Sequence, residues 1–414
     1  MSRTLVSAIP GRVGEQVRIE GWVARVRALG GLTFVILRER TGSIQAILER
    51  GEWPNLTSEA VVAIEGKVVE NPRAPGGYEI LATQVEVLNQ THGQLPVEVS
   101  GTELGCGPEV LVEQRVLTMR HPKQAAIFKV QAAIVEGFTA YLRSEGFLEI
   151  FTPKLIATGT EGGSELFSVP YFGRQAFLAQ SPQLYKEMLV ASGAERVFEV
   201  GHVYRAEPHE TSRHLSEYVS LDVEVGFIQG EEELMALETA LLRHIFAHLA
   251  ATCEAELMLW GGVPTVPAEI PRVTYAEACE RVGELSAQGE KSLCQALGSE
   301  LVFVTAFPAT ERPFYAMPVP GAPHLTKTFD LVYRGLEITS GGQRLHALPA
   351  LEASMVAHGM SPEAFGAYRE AFKHGMPPHG GFAIGLERLT ARVLGLGSVR
   401  EASLFPRTRN RLAP

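Results

Sequence analysis

The chain has 414 residues, 45% of them hydrophobic and 20% charged, with a net charge of −10. That is enough for a large core and two or three domains, and it leaves no global basic field, so any RNA contact must use local patches. Four scattered cysteines, Cys106, Cys253, Cys279 and Cys294, form no C-x-x-C pair, which speaks against a zinc site or disulfide framework and for free or buried thiols in a reducing compartment.

From residue 1 to about 100, short strand-like runs follow one another: VRIEGWVARV, LTFVILRER, SIQAILE, AVVAIEGKVVE and YEILATQVEVL. Five strands at this spacing, without a strong helix pattern, predict a small barrel of the OB type. One face of the first three strands carries Arg25, Arg27, Phe34 and Gln45. An aromatic ring, an amide and positive charge together suit unstacked bases and phosphate. A strand phenylalanine is equally an ordinary core residue, so this face alone leaves both readings open. Residues 101–119, with Gly101, Gly105, Gly107 and Pro108, read as a hinge.

Residues 120–414 form the second region. A helical stripe of Ile127, Val130, Ile134, Phe138 and Leu142 runs from about Lys123 to Ser144 and stops at Gly146. FLEIFTPKL follows, a strand-like run with an internal proline, which belongs at an edge or bulge. ATGTEGGSELF is glycine-rich and predicts a mobile loop. AFLAQSPQLYKEMLV turns at Ser181-Pro182 into a helix whose first turn presents Gln183 and Lys186 on one side. The densest stretch is FEVGHVYRAEPHETSRHLSEYVSLDVEVGF, residues 198–227, which reads as a long hairpin whose charges continue into its strands. Strand-borne Arg and Glu facing a cavity need an anionic and a cationic partner, which ATP and an α-amino acid supply.

Residues 231–300 read as surface helices without chemistry. In KTFDLVYRGLEITSGGQR, Asp330 and Glu337 are seven apart and would face opposite sides of a perfect strand, so a bulge near Arg334-Gly335 is required to bring them together. Gly341-Gly342 permits close backbone approach, and Arg344 can clamp a carboxylate. A glycine-rich strand then runs through Gly385-Leu386-Glu387-Arg388 into a helix; without G-K-[ST] it is not a P-loop. No signal peptide and no apolar run of membrane-spanning length is seen, so the expected setting is cytoplasmic.

Three stretches, in this order, resemble the signature motifs of class II aminoacyl-tRNA synthetases: about 124–155, 198–227 and 380–411. GWVARVRALGGLTFVILRERTG and the following Gln45 are similar to the anticodon-binding barrel of the aspartyl and asparaginyl group, nearest the short archaeal and eukaryotic aspartyl form. The resemblance implies an α+β chain: an N-terminal OB-fold β-barrel, then a class II catalytic domain built on an antiparallel β-sheet flanked by helices. It implies a homodimer through the first motif. It places ATP against Arg205, Glu207, Arg213, His214, Leu215, Tyr218, Glu337, Gly385 and Arg388, with Arg205 on the α-phosphate, Arg388 on the γ-phosphate, and both catalytic. It places aspartate against Thr160, Glu161, Gln183, Lys186, Asp222, Ser340 and Arg344, and Mg²⁺ against Asp330, Glu337 and Ser340. Arg27, Phe34, Gln45 and Glu79 match anticodon contacts.

The implied reaction attaches L-aspartate to tRNA(Asp) through an aspartyl-adenylate, with ATP and Mg²⁺. Lys186 and Arg344 imply a doubly cationic pocket preferring aspartate over asparagine at least roughly a thousandfold. The alternatives are an asparaginyl-tRNA synthetase, a class II-like asparagine-forming ligase and a non-catalytic RNA-binding paralogue. Lys186 with Arg344 argues against the first, the barrel against the second, and the joint presence of Arg205, Asp330, Glu337 and Arg388 against the third. In the archaeal-type relatives, a bulky aromatic after the GWV run and a lysine before the last barrel strand accompany strict choice of the aspartate anticodon. Ala24 and Pro75 stand there in this sequence, which points to a non-discriminating enzyme that also charges tRNA(Asn).

Overall fold

The computed structural model describes residues 1–159 and 166–413. The chain divides into two compact units, Met1–Cys106 and Gly107–Pro414.

In the first unit, β1 (Gln16–Leu29), β2 (Leu32–Glu39), β3 (Gly42–Leu48), β4 (Val61–Glu70) and β5 (Tyr78–Asn89) close into a barrel in the order β1-β2-β3-β5-β4. Alternation drives it. Val17, Ile19, Val35, Leu37, Ile44, Ala46, Ile64 and Ile80 point inward and are buried, and the intervening residues point out. Closure removes the sheet edges that would otherwise invite pairing with other chains.

The second unit begins with two short helices, α1 (Pro108–Glu113) and α2 (Arg115–Thr118), where the sequence reads as a hinge. Arg115 is buried and donates to the carbonyls of Arg400, Ser403 and Leu404, so this stretch is tied into the second unit rather than linking two. Next comes α3 (Pro122–Ser144), which starts on proline with His121 as its cap and buries the predicted stripe. After it run β6 (Leu148–Glu149), β7 (Leu155–Ile156), β8 (Ser168–Tyr171), β9 (Arg174–Leu178), α4 (Gln183–Leu189), β10 (Arg196–Tyr204) and β11 (Glu217–Gly226). Pro153 falls between β6 and β7, not inside a strand; its missing N–H and its limits on the preceding residue end the strand early.

The chain continues with α5 (Glu231–Thr252), α6 (Glu254–Met258), β12 (Arg272–Thr274), α7 (Tyr275–Val282), α8 (Ala287–Leu297), β13 (Leu301–Thr305), β14 (Pro318–Val319) and β15 (Ala322–Thr326). It closes with β16 (Thr328–Tyr333), β17 (Leu336–Gln343), α9 (Leu348–Ala357), α10 (Gly366–Lys373), β18 (His379–Gly385) and α11 (Leu386–Leu394).

The main sheet has eight strands in the order β12-β13-β16-β17-β18-β11-β10-β6, antiparallel except at the two outer pairs. On one face Leu221, Val223, Phe329, Leu331, Phe382 and Ile384 pack on α3, α5 and α11. α5 is therefore a core helix, not a surface one: Leu234, Leu241, Leu242, Ile245 and Leu249 are buried. α3 and α5 are each long and apolar enough to cross a bilayer, contrary to the sequence reading, but both bury their stripes in this core. Period-2 alternation turns the intervening residues Ser220, Asp222, Glu224, Ser340 and Ala383 to the opposite face.

β18 depends on its glycines. A Cβ at Gly381 would overlap the Val223 carbonyl oxygen and the Glu224 carboxylate. Gly381→Ala is expected to destabilise the unit by about 3 kcal/mol or more through overpacking against backbone, read as a lowered midpoint in denaturant unfolding.

Candidate active site

The free face of the sheet, α4 and the segment around Arg312 enclose a cleft of about 390 Å³. Gln183, Lys186, Arg205, Glu207, Arg213, His214, Leu215, Tyr218, Asp222, Glu337, Ser340, Arg344, Gly385 and Arg388 all line it. Thr160 and Glu161 lie outside the described residues. One sheet face thus gathers side chains spread over 200 positions of sequence, because β10, β11, β17 and β18 are adjacent strands.

At one end Lys186 and Arg344 are buried. Lys186 Nζ donates to Asp222 Oδ1 at 3.0 Å and to the Val223 carbonyl at 3.3 Å, and lies 3.2 Å from Glu224 Oε2. Arg344 donates through Nε to Glu224 Oε1 at 3.1 Å and through Nη2 to the Gly381 carbonyl at 3.0 Å and Gln183 Oε1 at 3.4 Å. Burial pushes the Glu224 carboxyl toward protonation, but Arg344, Lys186 and His379 outweigh it and hold it below the usual range. This corrects the doubly cationic pocket. Glu224 and Asp222 already balance both cations, because a buried charge without a partner is too costly to keep. Sequence reading gave Glu224 no role; its one signal is its position two residues from Asp222 on an alternating strand.

At the other end three arginines are each held by a carboxylate. Arg213 Nη2 donates to both oxygens of Glu290 at 2.7 Å, and Glu290 also accepts the backbone N–H of Glu337 at 2.8 Å. Arg388 Nη1 lies 3.3 Å from Glu337 Oε1 and donates to its carbonyl. Arg312 Nη2 donates to Asp330 Oδ2 at 2.8 Å and Nη1 to Ser340 Oγ at 3.1 Å. Glu290 and Arg312 have no local signature, and Glu290 lies in the stretch read as lacking chemistry. Arg205 stacks its guanidinium 5.9 Å from the Tyr218 ring centre. Burial, with Arg388 and Arg213 nearby, lowers the His214 pKa and keeps it neutral. The Pro208–Arg213 loop is anchored by Arg409 Nη1 on the Pro208 carbonyl and Arg400 Nη2 on Glu210.

Asp330 and Glu337 do not sit on one bulged strand. They lie on the two arms of a hairpin whose two-residue turn, Arg334-Gly335, has φ of 46° and 74°. The required bulge exists, but at Ile338: Leu331 pairs with Thr339 and Val332 with Glu337, which brings Glu337 to the face of Ser340 and Asp330. Asp330 is buried beneath Arg312, and its Oδ1 carries no hydrogen bond among the described residues. Burial, only partly offset by Arg312, pushes its carboxyl up. An orphaned carboxylate oxygen beside Glu337 and Ser340 fits a hard, oxygen-seeking cation such as Mg²⁺.

On the barrel, cross-strand register places Arg27 opposite Phe34, and Gln45 between Ile36 and Glu79. All four candidate anticodon residues therefore share one face. Gln45 Nε2 and Asn71 Nδ2 both donate to Glu79 Oε2 at 2.9 Å. Ala24 is the extra residue of a bulge in β1 and lines a depression with Leu56, Ser58, Glu98 and Ser100. Pro75 is exposed on the β4–β5 turn and does not line it.

Residues 107–409 match the family described as tRNA synthetases class II (D, K and N), and residues 17–88 match an OB-fold nucleic acid binding domain. The chain belongs to the class II tRNA synthetases. It is 47% identical to a protein of Deinococcus radiodurans named Aspartate--tRNA(Asp/Asn) ligase, over all of this chain and 99% of that one. A Thermus thermophilus protein of the same name is 48% identical over the full length of both. A Pyrococcus abyssi protein named Aspartate--tRNA(Asp) ligase is 40% identical over 97% of each. Among solved structures, asparaginyl-tRNA synthetase from Pyrococcus horikoshii with asparaginyl-adenylate superposes with a TM-score of 0.94 over the whole of both chains, at 30% identity.

One buried acid of this synthetase lies behind the cleft. Glu238 of α5 is fully buried near Thr339 and Asp330, and neither of its oxygens has a hydrogen bond among the described residues. Burial lifts its pKa to about 8. The folded state keeps a proton that the unfolded chain releases near 4.5, so stability falls as pH rises between about 4.5 and about 8. Glu238→Gln is expected to match the parent near the lower limit and to exceed it by about 2–4 kcal/mol at the upper, measured by denaturant unfolding across pH.

Proposed function

We propose that this synthetase activates L-aspartate with ATP and transfers it to tRNA, accepting both tRNA(Asp) and tRNA(Asn). The observation that carries the amino-acid assignment is the buried Lys186–Glu224–Arg344 cluster at the cleft floor. Arg344 Nη1 has no hydrogen bond among the described residues, which leaves a cationic edge for the substrate's side-chain carboxylate. An amide side chain needs no such counter-charge. The fold does not choose between the two amino acids, since an asparaginyl enzyme shares it; the charged floor does.

The reaction proceeds in two displacements. An oxygen of the aspartate α-carboxylate attacks the α-phosphorus of ATP, the bond to pyrophosphate breaks, and aspartyl-adenylate forms. The terminal ribose hydroxyl of the tRNA then attacks the acyl carbon and AMP leaves. The cleft holds no nucleophile–base pair for covalent catalysis among the described residues; its work is positioning and charge stabilisation. Arg205 faces the α-phosphate and Arg388 the γ-phosphate, Tyr218 offers a stacking surface to adenine, and Asp222 receives the substrate ammonium. Asp330, Glu337 and Ser340 would hold Mg²⁺, which neutralises phosphate charge when bound.

Three further features support the setting. Leu148, Phe151 and Leu155 of the first motif are exposed, Phe151 at 83%, beside the two-residue edge strand β6; this apolar strip suits a two-fold partner copy. The apolar helices lie in the core, which agrees with a cytoplasmic protein. Ala24 is small and Pro75 lacks an N–H, so neither supplies a repulsive contact against the asparagine anticodon.

ATP–pyrophosphate exchange tests the amino-acid choice. Loss of one charge-assisted contact costs about 1.5–3 kcal/mol, so aspartate is expected to exceed asparagine by about ten- to a hundredfold per contact, less than a doubly cationic pocket implies. Equal exchange with the two amino acids sinks the assignment. For tRNA choice, aminoacylation of purified tRNA(Asp) and tRNA(Asn) with labelled aspartate is expected to proceed within about tenfold of each other, a gap of about 1.4 kcal/mol. Discrimination of several hundredfold overturns the relaxed reading.

A further inference from the structure

Behind the amino-acid floor lies a second buried ion pair that the reaction as described does not use. Glu187 is the helical neighbour of Lys186 on α4, and His379 opens β18; both are fully buried. Glu187 Oε2 lies 2.9 Å from His379 Nε2 and accepts the Tyr368 hydroxyl at 2.7 Å. Glu187 Oε1 accepts from Gln183 Nε2 at 2.7 Å, and Gln183 Oε1 in turn accepts from Arg344. The other imidazole nitrogen, Nδ1, sits 2.9 Å from the Pro377 carbonyl. A carbonyl can only accept, so Nδ1 carries a proton; a carboxylate at Nε2 then requires a second proton there. His379 is also bonded through its own carbonyl to the Arg344 N–H at 2.9 Å.

The two pairs form one charge set. Lys186, Arg344 and His379 face Asp222, Glu224 and Glu187, three cations against three anions. Carboxylate oxygens of Glu187 and Glu224 and a ring nitrogen of His379 all lie within 4.8 Å of one another. A neutral histidine would leave the set with one excess negative charge in a low-dielectric floor that must receive another carboxylate.

We propose that His379, held as an imidazolium by Glu187, is a positioning and specificity-determining residue for aspartate, offsetting Glu187 so that Glu224 stays committed to Lys186 and Arg344. This rests on the aspartate reading above. The groups facing His379 are Glu187 from α4, Tyr368 from α10, Glu224 from β11, and Arg344 and His346 after β17. Burial and Glu187 push the Tyr368 phenol well above its ordinary value of 10, and burial with His379 lowers His346 below its ordinary 6.5, so neither titrates just above neutrality. Despite burial, Glu187 and Glu224 raise the His379 pKa, so its charge persists to higher pH than in a free imidazole and is lost as pH rises through that raised value.

The test is ATP–pyrophosphate exchange with aspartate and ATP varied separately. His379→Gln is expected to raise KM for aspartate about tenfold or more, with KM for ATP within about twofold, and to narrow the aspartate-to-asparagine ratio. Glu187→Gln combined with His379→Gln removes both charges and is expected to recover most of the loss. The alkaline fall in wild-type kcat/KM for aspartate is expected to vanish in that double variant. A rise in both KM values together, or a double variant no better than the single one, overturns the proposal. If His379→Gln does not fold, Tyr368→Phe, which strips a donor from Glu187 and makes the pair hold its proton more tightly, is expected to move the alkaline limb to higher pH. An unmoved limb overturns the proposal equally. Absence of aspartate-dependent exchange in the unaltered protein overturns the aspartate reading as well, whereas normal exchange with an indifferent His379→Gln overturns this inference alone.

Discussion

Glu224 is a fully buried carboxylate, and much of the cleft exists in its present form because that charge must be neutralised. A carboxylate taken out of water stays ionised only where cations and N–H donors replace the lost hydration. Arg344 comes from the end of β17, Lys186 from α4, and β18 passes close enough to Glu224 that only glycine fits at position 381. Three separate elements are therefore held to one point. Breaking one arm of such a pair leaves an uncompensated buried charge, which typically costs 3–5 kcal/mol. The floor is stiff for this reason, which suits the amino-acid site proposed there.

The other end of the cleft follows a different rule. There Arg213, Arg388 and Arg312 are paired with Glu290, Glu337 and Asp330 at the margin of the cleft, where the side chains are less deeply buried than at the floor. Under the proposed function, incoming phosphate oxygens would compete for the same donors, and the carboxylates would hold the guanidiniums in place until phosphates replaced them. Glu290 also pins the backbone of Glu337 and so couples α8 to the hairpin that carries the oxygen donors. One end of the cleft is fixed by almost fully buried charge, and the other by charge closer to solvent.

Much of this was legible beforehand where the chemistry is local. Period-2 alternation through 198–227 marks the paired strands, and the resemblance to the second class II motif, not spacing, singled out Arg205, Tyr218 and Asp222 within them. Gly385-Leu386-Glu387-Arg388 reads as a strand entering a helix because the local geometry needs no distant partner. The barrel face of Arg27, Phe34 and Gln45 is visible for the same reason, since register follows from the inward apolar set.

The remainder belongs to contacts between residues far apart in the chain. Nothing near Glu290 or Arg312 announces that they hold Arg213 and Asp330, because each is placed by the packing of whole elements. The bulge demanded by the spacing of Asp330 and Glu337 falls at Ile338 because the glycine turn takes two residues and leaves the mismatch to the strand. α3 and α5 were apolar in sequence, but only their packing against the sheet turns that apolarity into core rather than span. The amino-acid sequence by itself determined the two-domain plan and, through its resemblance to the class II motifs, most of the side chains that line the cleft, since strand alternation and motifs act over neighbouring residues. Only the tertiary structure decided the charge state of the floor, because Glu224, Lys186, Arg344, Glu187 and His379 neutralise one another only when strands and helices up to 200 residues apart bring them together in a space without water.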